Sequence, residues 1–223
     1  MQCIYRIGSL MQELGFWIIN DVIWHKTNPT PNFMGTRLNN SHETLIWAVP
    51  DKSSRYTFHY KTAKALFTEN SGRQMGSVWR IPVCSGSERL KDSQGKKIHS
   101  TQKPLILLER IIAISSNLND LILDPFAGTM TTGAAAKKLG RKYIMIEADK
   151  TYCTAGESRL ANIDFVDSPE ARAEYDIKPL RVSMQEMIQA KAFITGESFY
   201  LPDGQECAKL LEDGKLLIDN NPL

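Results

Sequence analysis

The sequence has few cysteines, no long apolar run and neither of the common phosphate-binding glycine motifs. Its four cysteines, Cys3, Cys84, Cys153 and Cys207, show no C-x-x-C spacing, which disfavours a zinc site or a disulfide framework and favours free thiols in a reducing compartment. No apolar run reaches the roughly 18 residues of a membrane span, and the N-terminus carries no basic-then-apolar signal. These absences predict a cytoplasmic protein with no membrane partner and no bound metal.

Length and composition restrict the possible folds more than they restrict the possible functions. With 223 residues, of which 42% are hydrophobic, the chain can form one core-bearing α/β domain and a small appendage. Its net charge of +2 allows a nucleic-acid partner but does not require one. The sequence leaves open whether the chain forms a homodimer.

Residues 121–147 have the pattern of a nucleotide-binding βαβ unit. An apolar run ends at Asp124, and a glycine- and threonine-rich loop, a small-residue helix ending at Gly140 and a second apolar run ending at Glu147 follow. The loop contains neither G-x-G-x-x-G nor Gly-Lys-Ser/Thr, which disfavours a pyrophosphate ligand and a P-loop. An aspartate at its start suits a ligand with a cationic amino group, such as S-adenosylmethionine, whose ribose diol Glu147 would bind. A βαβ unit without a ligand is the alternative.

Two motifs in and before this unit resemble those of the amino-group DNA methyltransferases. Asp124-Pro125-Phe126-Ala127-Gly128-Thr129-Met130-Thr131-Thr132 is similar to D-P-F-x-G-x-G-T-T, and His99-Ser100-Thr101-Gln102-Lys103-Pro104 is similar to H-x-T-Q-K-P. Their order along the chain is that of the family's permuted β group. We expect Met130, which departs from the family's glycine, to crowd the cofactor. The resemblance implies S-adenosylmethionine binding by Thr101, Gln102, Lys103, Asp124, Pro125, Phe126, Gly128, Thr129, Thr131, Thr132 and Glu147.

Residues 25–37 form a proline-rich polar loop after a predicted strand at 16–24. By composition alone, this loop is more typical of an ordinary protein surface. Together with the following H-E-T-L-I-W-A segment, however, it resembles the cell-cycle adenine methyltransferases that modify GANTC, over a match from about Gln12 to about Asn162. The loop faces DNA in those enzymes. The resemblance therefore implies contacts to double-stranded DNA from Lys26, Asn28, Pro31, Asn32 and Arg37.

We predict an α/β fold with an incomplete doubly wound Rossmann-like methyltransferase sheet and a small C-terminal appendage. The predicted divisions are a methyltransferase portion at 1–163, containing the DNA-side loop and the cofactor half, a linker at 164–179 and a C-terminal module, cut short, at 180–223. Within that module, Leu180-Arg181-Val182 and Leu201-Pro202-Asp203-Gly204 are each expected to precede a short helix. An unrelated α/β cap is the alternative for this module.

The Asp-Pro-Pro-Tyr tetrapeptide, with which the family holds the target amine, is absent from the chain. The nearest string, Asn28-Pro29-Thr30-Pro31, has the wrong residue types. In the β group the tetrapeptide lies N-terminal to every motif found here, so we expect the chain to lack its front part and assign no catalytic residue. The expected function is GANTC-type adenine-N6 methylation by family, with little or no activity from this chain alone. A residual DNA- or cofactor-binding module is the alternative, and a nicotinamide oxidoreductase is disfavoured by the missing G-x-G-x-x-G.

Overall fold

The computed structural model describes residues 3–66, 73–178, 182–213, 215–218 and 221–222, and it divides the chain into two compact units, Met1–Ile177 and Lys178–Leu223. The mixture of helices and strands confirms the predicted α/β class. Within the described ranges, no helix is both long enough and apolar enough to cross a membrane. The first unit contains, in chain order, α1 (Ile4–Glu13), β1 (Trp17–Lys26), β2 (His42–Val49), α2 (Tyr60–Leu66), β3 (Val78–Ile81), α3 (Leu105–Ser115), β4 (Leu121–Asp124), α4 (Thr131–Lys138), β5 (Lys142–Met145), α5 (Lys150–Ala161) and α6 (Pro169–Arg172).

The strands of the first unit form two separate sheets. One has the order β2-β1-β3, in which β1 runs antiparallel to β2 and parallel to β3. The other consists of β4 and the parallel β5, with Asp124 opposite Met145 at its carboxyl end. Among the strands of this unit that the structure covers, only β1 has a partner on both edges, whereas β2, β3, β4 and β5 each have a partner on one edge only. This arrangement is the incomplete doubly wound sheet that the sequence predicted.

Helix α3 packs against elements of both sheets. Leu107 and Ile114 belong to a core that includes Trp24 of β1 and Ile81 of β3. On another side of the helix, Ile112 and Ala113 pack with the buried alanines of α4. Pro104 precedes the helix in an extended conformation with φ −68° and ψ 139°, so α3 begins at Leu105.

The first unit extends beyond the predicted boundary at 163. Residues 164–177, which lie in the segment predicted as a linker, contain α6, and Ala171 of that helix is fully buried. Asp176 accepts hydrogen bonds from the Lys61 and Thr62 amides, both at 2.8 Å, and from the Thr62 hydroxyl at 2.7 Å. These bonds satisfy amides in the first turn of α2 that have no partner within the helix. Polar capping and apolar burial therefore hold this segment on the first unit.

Arg141 connects three elements from within the core. The residue is 3% exposed, and its guanidinium donates to the Ser116 carbonyl at 2.6 Å, to the Leu139 carbonyl at 2.6 Å and to the Ala171 carbonyl. Burial lowers the pKa of Arg141, and Asp120 opposes that effect. The side chain thus ties the start of β5 to the C-terminal end of α3 and to α6.

The described residues of the second unit form one helix and a small antiparallel sheet. Helix α7 (Met184–Gln189) is followed by β6 (Ser198–Tyr200), β7 (Glu206–Leu210), β8 (Leu216–Ile218) and β9 (Asn221–Pro222) in the order β6-β7-β8-β9. The helix expected after Val182 is confirmed, and Ser183 and Glu186 form its capping box. The second expected helix is wrong, because Leu201–Gly204 forms the turn between β6 and β7, with Gly204 at φ +84°. Leu180 and Arg181 lie outside the described residues.

We expect Asp176→Ala to lower the free energy of unfolding of the first unit by about 1–2 kcal/mol, because three donors at the start of α2 lose their acceptor. Urea denaturation followed by circular dichroism measures this loss. Asp164→Ala is the matched control, since Asp164 is an exposed aspartate of the same segment. Equal effects of the two substitutions would contradict the capping role.

Candidate functional site

Asp124 folds the loop that follows β4. Its carboxylate accepts a hydrogen bond from the Phe126 amide at 3.0 Å and another from the Thr132 hydroxyl at 2.5 Å. One side chain therefore joins the end of β4 to the first turn of α4. Gly128, between these two contacts, has φ +52°, a left-handed conformation that glycine adopts without a steric penalty.

Glu147, after β5, lies beside the same loop. One carboxylate oxygen accepts from the Gly128 amide at 2.7 Å, and the other accepts from the Ala148 and Asp149 amides at 2.9 and 3.0 Å. These backbone hydrogen bonds, the one from Asp149 first, lower the pKa of Glu147 against a smaller opposing effect of burial. The residue is thus a fixed anion at neutral pH, and its oxygens keep lone pairs that can accept from ligand hydroxyls.

Gln102 anchors the segment that precedes α3. The side chain is 5% exposed, its oxygen accepts from the Leu90 amide at 3.0 Å, and its nitrogen donates to the Glu88 carbonyl at 2.9 Å. Glu88 in turn accepts from the Leu105 amide at 2.5 Å and so caps α3. The Gln102 amide is therefore bound to the scaffold, and it fixes the exposed Thr101 beside it.

His99 connects this segment to the loop after β4. Its ring lies edge-on to Tyr152 of α5, with 4.6 Å between the ring centroids, and its Nδ1 is 3.1 Å from the Thr101 amide. A Cβ placed on Gly128 would lie 3.4 Å from His99 Nε2, so the two segments approach closely at this point. His99 belongs to the H-x-T-Q-K-P motif but was not among the predicted site residues.

A cavity of about 470 Å³ lies between these segments, a size typical of small-molecule sites. Apolar side chains of Trp24, Leu107, Leu108 and Ile111 form part of its wall. Pro125 and Glu147 are predicted cofactor residues that do not line it, although Glu147 holds the lining loop through Gly128. The predicted cofactor residues that do line it are Thr101, Gln102, Lys103, Asp124, Phe126, Gly128, Thr129, Thr131 and Thr132.

Glu43 of β2 lies in the same wall and pairs with two lysines. Its carboxylate oxygens are each 2.9 Å from an ammonium, one that of Lys26 and the other that of Lys103. Partial burial raises the pKa of Glu43, but the hydrogen bonds and charges of Lys103 and Lys26 outweigh it and lower the pKa. The cluster links the end of β1 to the segment before α3. The H-E-T string, which supplies Glu43, was the sequence feature that marked this position.

Two asparagine side chains within the predicted DNA-side loop, Asn28 and Asn32, stabilise its conformation. Asn28 accepts from the Val83 amide at 2.7 Å, and Asn32 donates to the Arg37 carbonyl at 2.8 Å. The Lys26 side chain is only 12% exposed and is paired with Glu43, whereas Pro31 and Arg37 are exposed. The loop thus divides into residues that fold it and residues that face solvent. Large apolar side chains are also exposed there, namely Phe33, Met34 and Leu38.

The aromatic residues between 51 and 91 serve different purposes. Trp79 is 4% exposed and belongs to the core of the first sheet. Tyr56 and Phe58 are partly exposed and pack on Trp47, with ring centroids 5.5 and 5.4 Å apart. This segment therefore supplies one core residue, Trp79, and two partly exposed rings that pack on Trp47.

Met130 does not point into the cavity, contrary to the crowding expected from the sequence. Its backbone has φ +57°, and its side chain is 7% exposed in a core with Ala134 and Leu160. A Cβ built on Gly156 of α5 would lie 2.6 Å from Met130 Cγ. The side chain thus occupies space that Gly156 leaves on α5, which explains how the loop accommodates a residue larger than glycine.

We expect Gly156→Ala to destabilise the first unit by about 1–3 kcal/mol through overpacking against Met130. In a Met130→Gly background the same substitution is expected to stabilise by up to about 1 kcal/mol, because the clash is gone and alanine favours the helix. A double-mutant cycle by urea denaturation measures the coupling. Equal effects of Gly156→Ala in both backgrounds would rule out the pairing.

Glu43→Gln is expected to destabilise the first unit at pH 7, because two ammonium groups lose their anion. The folded pKa of Glu43 is lowered, so its contribution is full above about pH 4.3 and is lost as the pH falls through the lowered value. The urea midpoints of wild type and variant should therefore differ at pH 7 and converge at low pH. Glu157→Gln, at an exposed helical position, is the control. A difference that persists in acid would argue against the ion-pair explanation.

Comparison with known proteins identifies the family. The type II methyltransferase M.HinfI of Haemophilus influenzae is 47% identical over 215 residues, which make up 96% of this chain and 59% of M.HinfI. M2.LlaDCHI of Lactococcus lactis subsp. cremoris is 43% identical over 158 residues, or 70% of this chain and 56% of that protein. The crystal structure of the M1.HpyAVI–SAM complex matches with a TM-score of 0.58 at 33% identity, over 71% of this chain and 70% of that one.

The chain thus spans less than two thirds of the length of both curated relatives. The family described as DNA methylase (N6_N4_Mtase) matches residues 1–158, which include β1, β2 and the βαβ unit. The chain belongs to this DNA methylase family.

Proposed function

We propose that the first unit is the cofactor-binding and DNA-facing part of a site-specific adenine-N6 DNA methyltransferase of GANTC type that uses S-adenosylmethionine. The observation that carries the proposal is the cavity lined by both Thr101–Lys103 and Asp124–Thr132. Family membership and the likeness to a structure in complex with SAM support the choice of cofactor. The adenine and GANTC assignments rest on the resemblance of the segment from Leu14 to Ala48.

The residues present fit S-adenosylmethionine. A cavity of about 470 Å³ with an apolar wall on one side and carboxylates near the other suits a molecule with an adenosine portion and an ammonium group. Glu147, anionic and held by three amides, would accept from the ribose hydroxyls. Asp124 would contribute negative charge on the side of the ammonium, and Thr101 with Lys103 would hold the carboxylate. When bound, this cofactor supplies an electrophilic methyl group.

The site would also aid cofactor binding in two further ways: its apolar wall excludes water, and its hydrogen-bonded loop has a fixed geometry. Trp24, Leu107 and Ile111 make the wall between the sheets apolar, and Phe126, 88% exposed, stands at the cavity as a surface for stacking. The loop that carries Gly128 and Thr129 is held by hydrogen bonds that Phe126, Gly128 and Thr132 donate to the carboxylates of Asp124 and Glu147. Little reorganisation would therefore be needed on binding.

On the DNA side, we assign contacts with double-stranded DNA to the loop that contains Pro31 and Arg37. Arg37 is exposed and suits a phosphate contact. Asn28 and Asn32 would act mainly by shaping the loop, since one accepts from Val83 and the other donates to the Arg37 carbonyl. Lys26 would contribute positive charge to the DNA-facing side while it remains paired with Glu43.

We further propose that this chain alone transfers little or no methyl group. Transfer to the exocyclic amine of adenine requires the base to leave the duplex, at a few kcal/mol, and an acceptor to draw the amine hydrogens. The family supplies that acceptor from Asp-Pro-Pro-Tyr, which does not occur in this sequence. The chain would then bind its ligands without completing the reaction.

Isothermal calorimetry with S-adenosylmethionine tests the cofactor assignment. We expect the chain to bind, and Asp124→Ala to raise the Kd at least about tenfold, equivalent to 1.4 kcal/mol, because the loop loses its two contacts to β4. Asp21→Ala, an exposed aspartate on β1, is the matched control and should leave the Kd unchanged. Absence of binding heat from the wild type would remove the cofactor assignment.

Incubation with labelled S-adenosylmethionine and a GANTC duplex tests the proposed inactivity of the isolated chain and its proposed target sequence. We expect cofactor binding without transfer above background. Transfer at ordinary turnover would refute the inactivity of the isolated chain, and transfer to a duplex that lacks GANTC would refute the target.

A further inference from the structure

Arg159 of α5 contacts the loop that lines the cavity, although it belongs to neither sequence motif. Its guanidinium donates a hydrogen bond to the Thr131 hydroxyl oxygen at 2.9 Å. The adjacent Leu160 is buried in a core with Met130, and its carbonyl accepts from the Lys137 ammonium at 2.8 Å. These contacts hold the last turn of α5 against the start of α4, so Arg159 reaches Thr131 from a fixed position.

The chemistry of arginine determines the direction of this hydrogen bond. Burial lowers the pKa of Arg159, and the charge of Glu88 opposes that effect. Glu88 is itself held in place, because it accepts from the Leu105 amide at the start of α3. A guanidinium stays charged in proteins and has five donors but no acceptor. The Thr131 oxygen can therefore only accept in this contact.

The hydrogen of the Thr131 hydroxyl remains available. A threonine hydroxyl has one hydrogen to donate and two lone pairs that accept, and Arg159 occupies one of the lone pairs. Thr131 is 6% exposed and lines the cavity. Within the described ranges, this hydroxyl donates to no protein acceptor. Its hydrogen is thus free for an acceptor on a ligand in the cavity.

The next residue, Thr132, has the opposite arrangement. Its hydroxyl donates to the Asp124 carboxylate at 2.5 Å, so its hydrogen is already used and its lone pairs remain. Thr132 also lines the cavity. Two consecutive hydroxyls are therefore set to different roles by two different partners, Thr131 as a donor and Thr132 as an acceptor.

We propose that Arg159 is a positioning residue that fixes the Thr131 hydroxyl as a donor to the α-carboxylate of the bound cofactor, while Thr132 accepts from its α-ammonium. The inference rests on the proposed function, because it takes S-adenosylmethionine as the ligand of this cavity. The carboxylate and ammonium of an α-amino acid are attached to one carbon. A donor and an acceptor on consecutive residues match that spacing.

The position of Thr131 on α4 favours the same assignment. Thr131 is the first residue of α4, and no side chain caps this end of the helix. The amides and dipole at a helix N-terminus favour an anion. A carboxylate that accepts from the Thr131 hydroxyl would lie at this end. The negative charge of Asp124, on the other hydroxyl, suits the ammonium.

Calorimetry with two ligands separates positioning from general support of the fold. The full 223-residue chain is titrated with S-adenosylmethionine and with 5′-methylthioadenosine, which lacks the amino-acid portion. We expect Arg159→Met to raise the Kd for S-adenosylmethionine at least about tenfold, because the hydroxyl loses its fixed orientation towards a charged acceptor. The Kd for 5′-methylthioadenosine should change by less than about threefold. Arg80→Met, at an exposed arginine of β3, is the matched control and should change neither Kd.

A second variant tests whether Arg159 acts through Thr131. Thr131→Val removes the hydroxyl and leaves Arg159 in place, so it should cause the same selective loss of S-adenosylmethionine binding. In the Thr131→Val background, Arg159→Met should raise the Kd by less than about threefold, because the group that it orients is gone. Circular dichroism spectra and urea midpoints of the variants report separately on any loss of folding.

The outcomes distinguish this inference from the proposed function. Wild-type binding that Arg159→Met leaves unchanged, or equal weakening of both ligands, overturns the positioning role and leaves the cofactor assignment standing. Fully additive effects of Arg159→Met and Thr131→Val also overturn it, since Arg159 would then act independently of the hydroxyl. A wild-type chain that binds neither ligand removes the cofactor assignment and this inference with it.

Discussion

The packing of α3 between the two sheets is the interaction on which the candidate site depends. Leu107 and Ile114 bury against the first sheet, and Ile112 packs against α4 beside the second. Because α3 begins at Leu105, this packing also places the preceding Thr101–Lys103 segment opposite the loop after β4. Apolar burial in two cores thus positions a polar site that no single element could form.

Hydrogen bonds and ion pairs then set the geometry within that frame. Asp124 and Glu147 bind backbone amides of the loop between them, and Gln102 binds the backbone before α3. Glu43 joins lysines from two distant segments. Each of these polar side chains makes at least two hydrogen bonds or ion pairs, which fix its position on the scaffold. The same contacts that stabilise the fold therefore hold the cavity ready for a ligand.

The two sides of the sheet system differ in completeness. The side around α3, α4 and α5 is packed and contains the cavity, whereas β2, β3, β4 and β5 each pair on one edge only within the described residues and β4 has an exposed aliphatic face. The chemistry shows the same division, since the chain contains the motifs attributed to cofactor binding and no Asp-Pro-Pro-Tyr.

The sequence by itself determined the family, the α/β class and the βαβ unit, because these depend on local periodicity, turn residues and motif spacing. Tertiary structure alone decided where the Met130 side chain points, since it fills the space left beside Gly156 on another helix. It also decided the binding of Gln102 to residues 88 and 90, the inclusion of residues 164–177 in the first unit and the hairpin at 201–204. Each of these outcomes depends on a partner that is distant in sequence or on strand pairing, and neither is encoded in the local pattern of the residue itself.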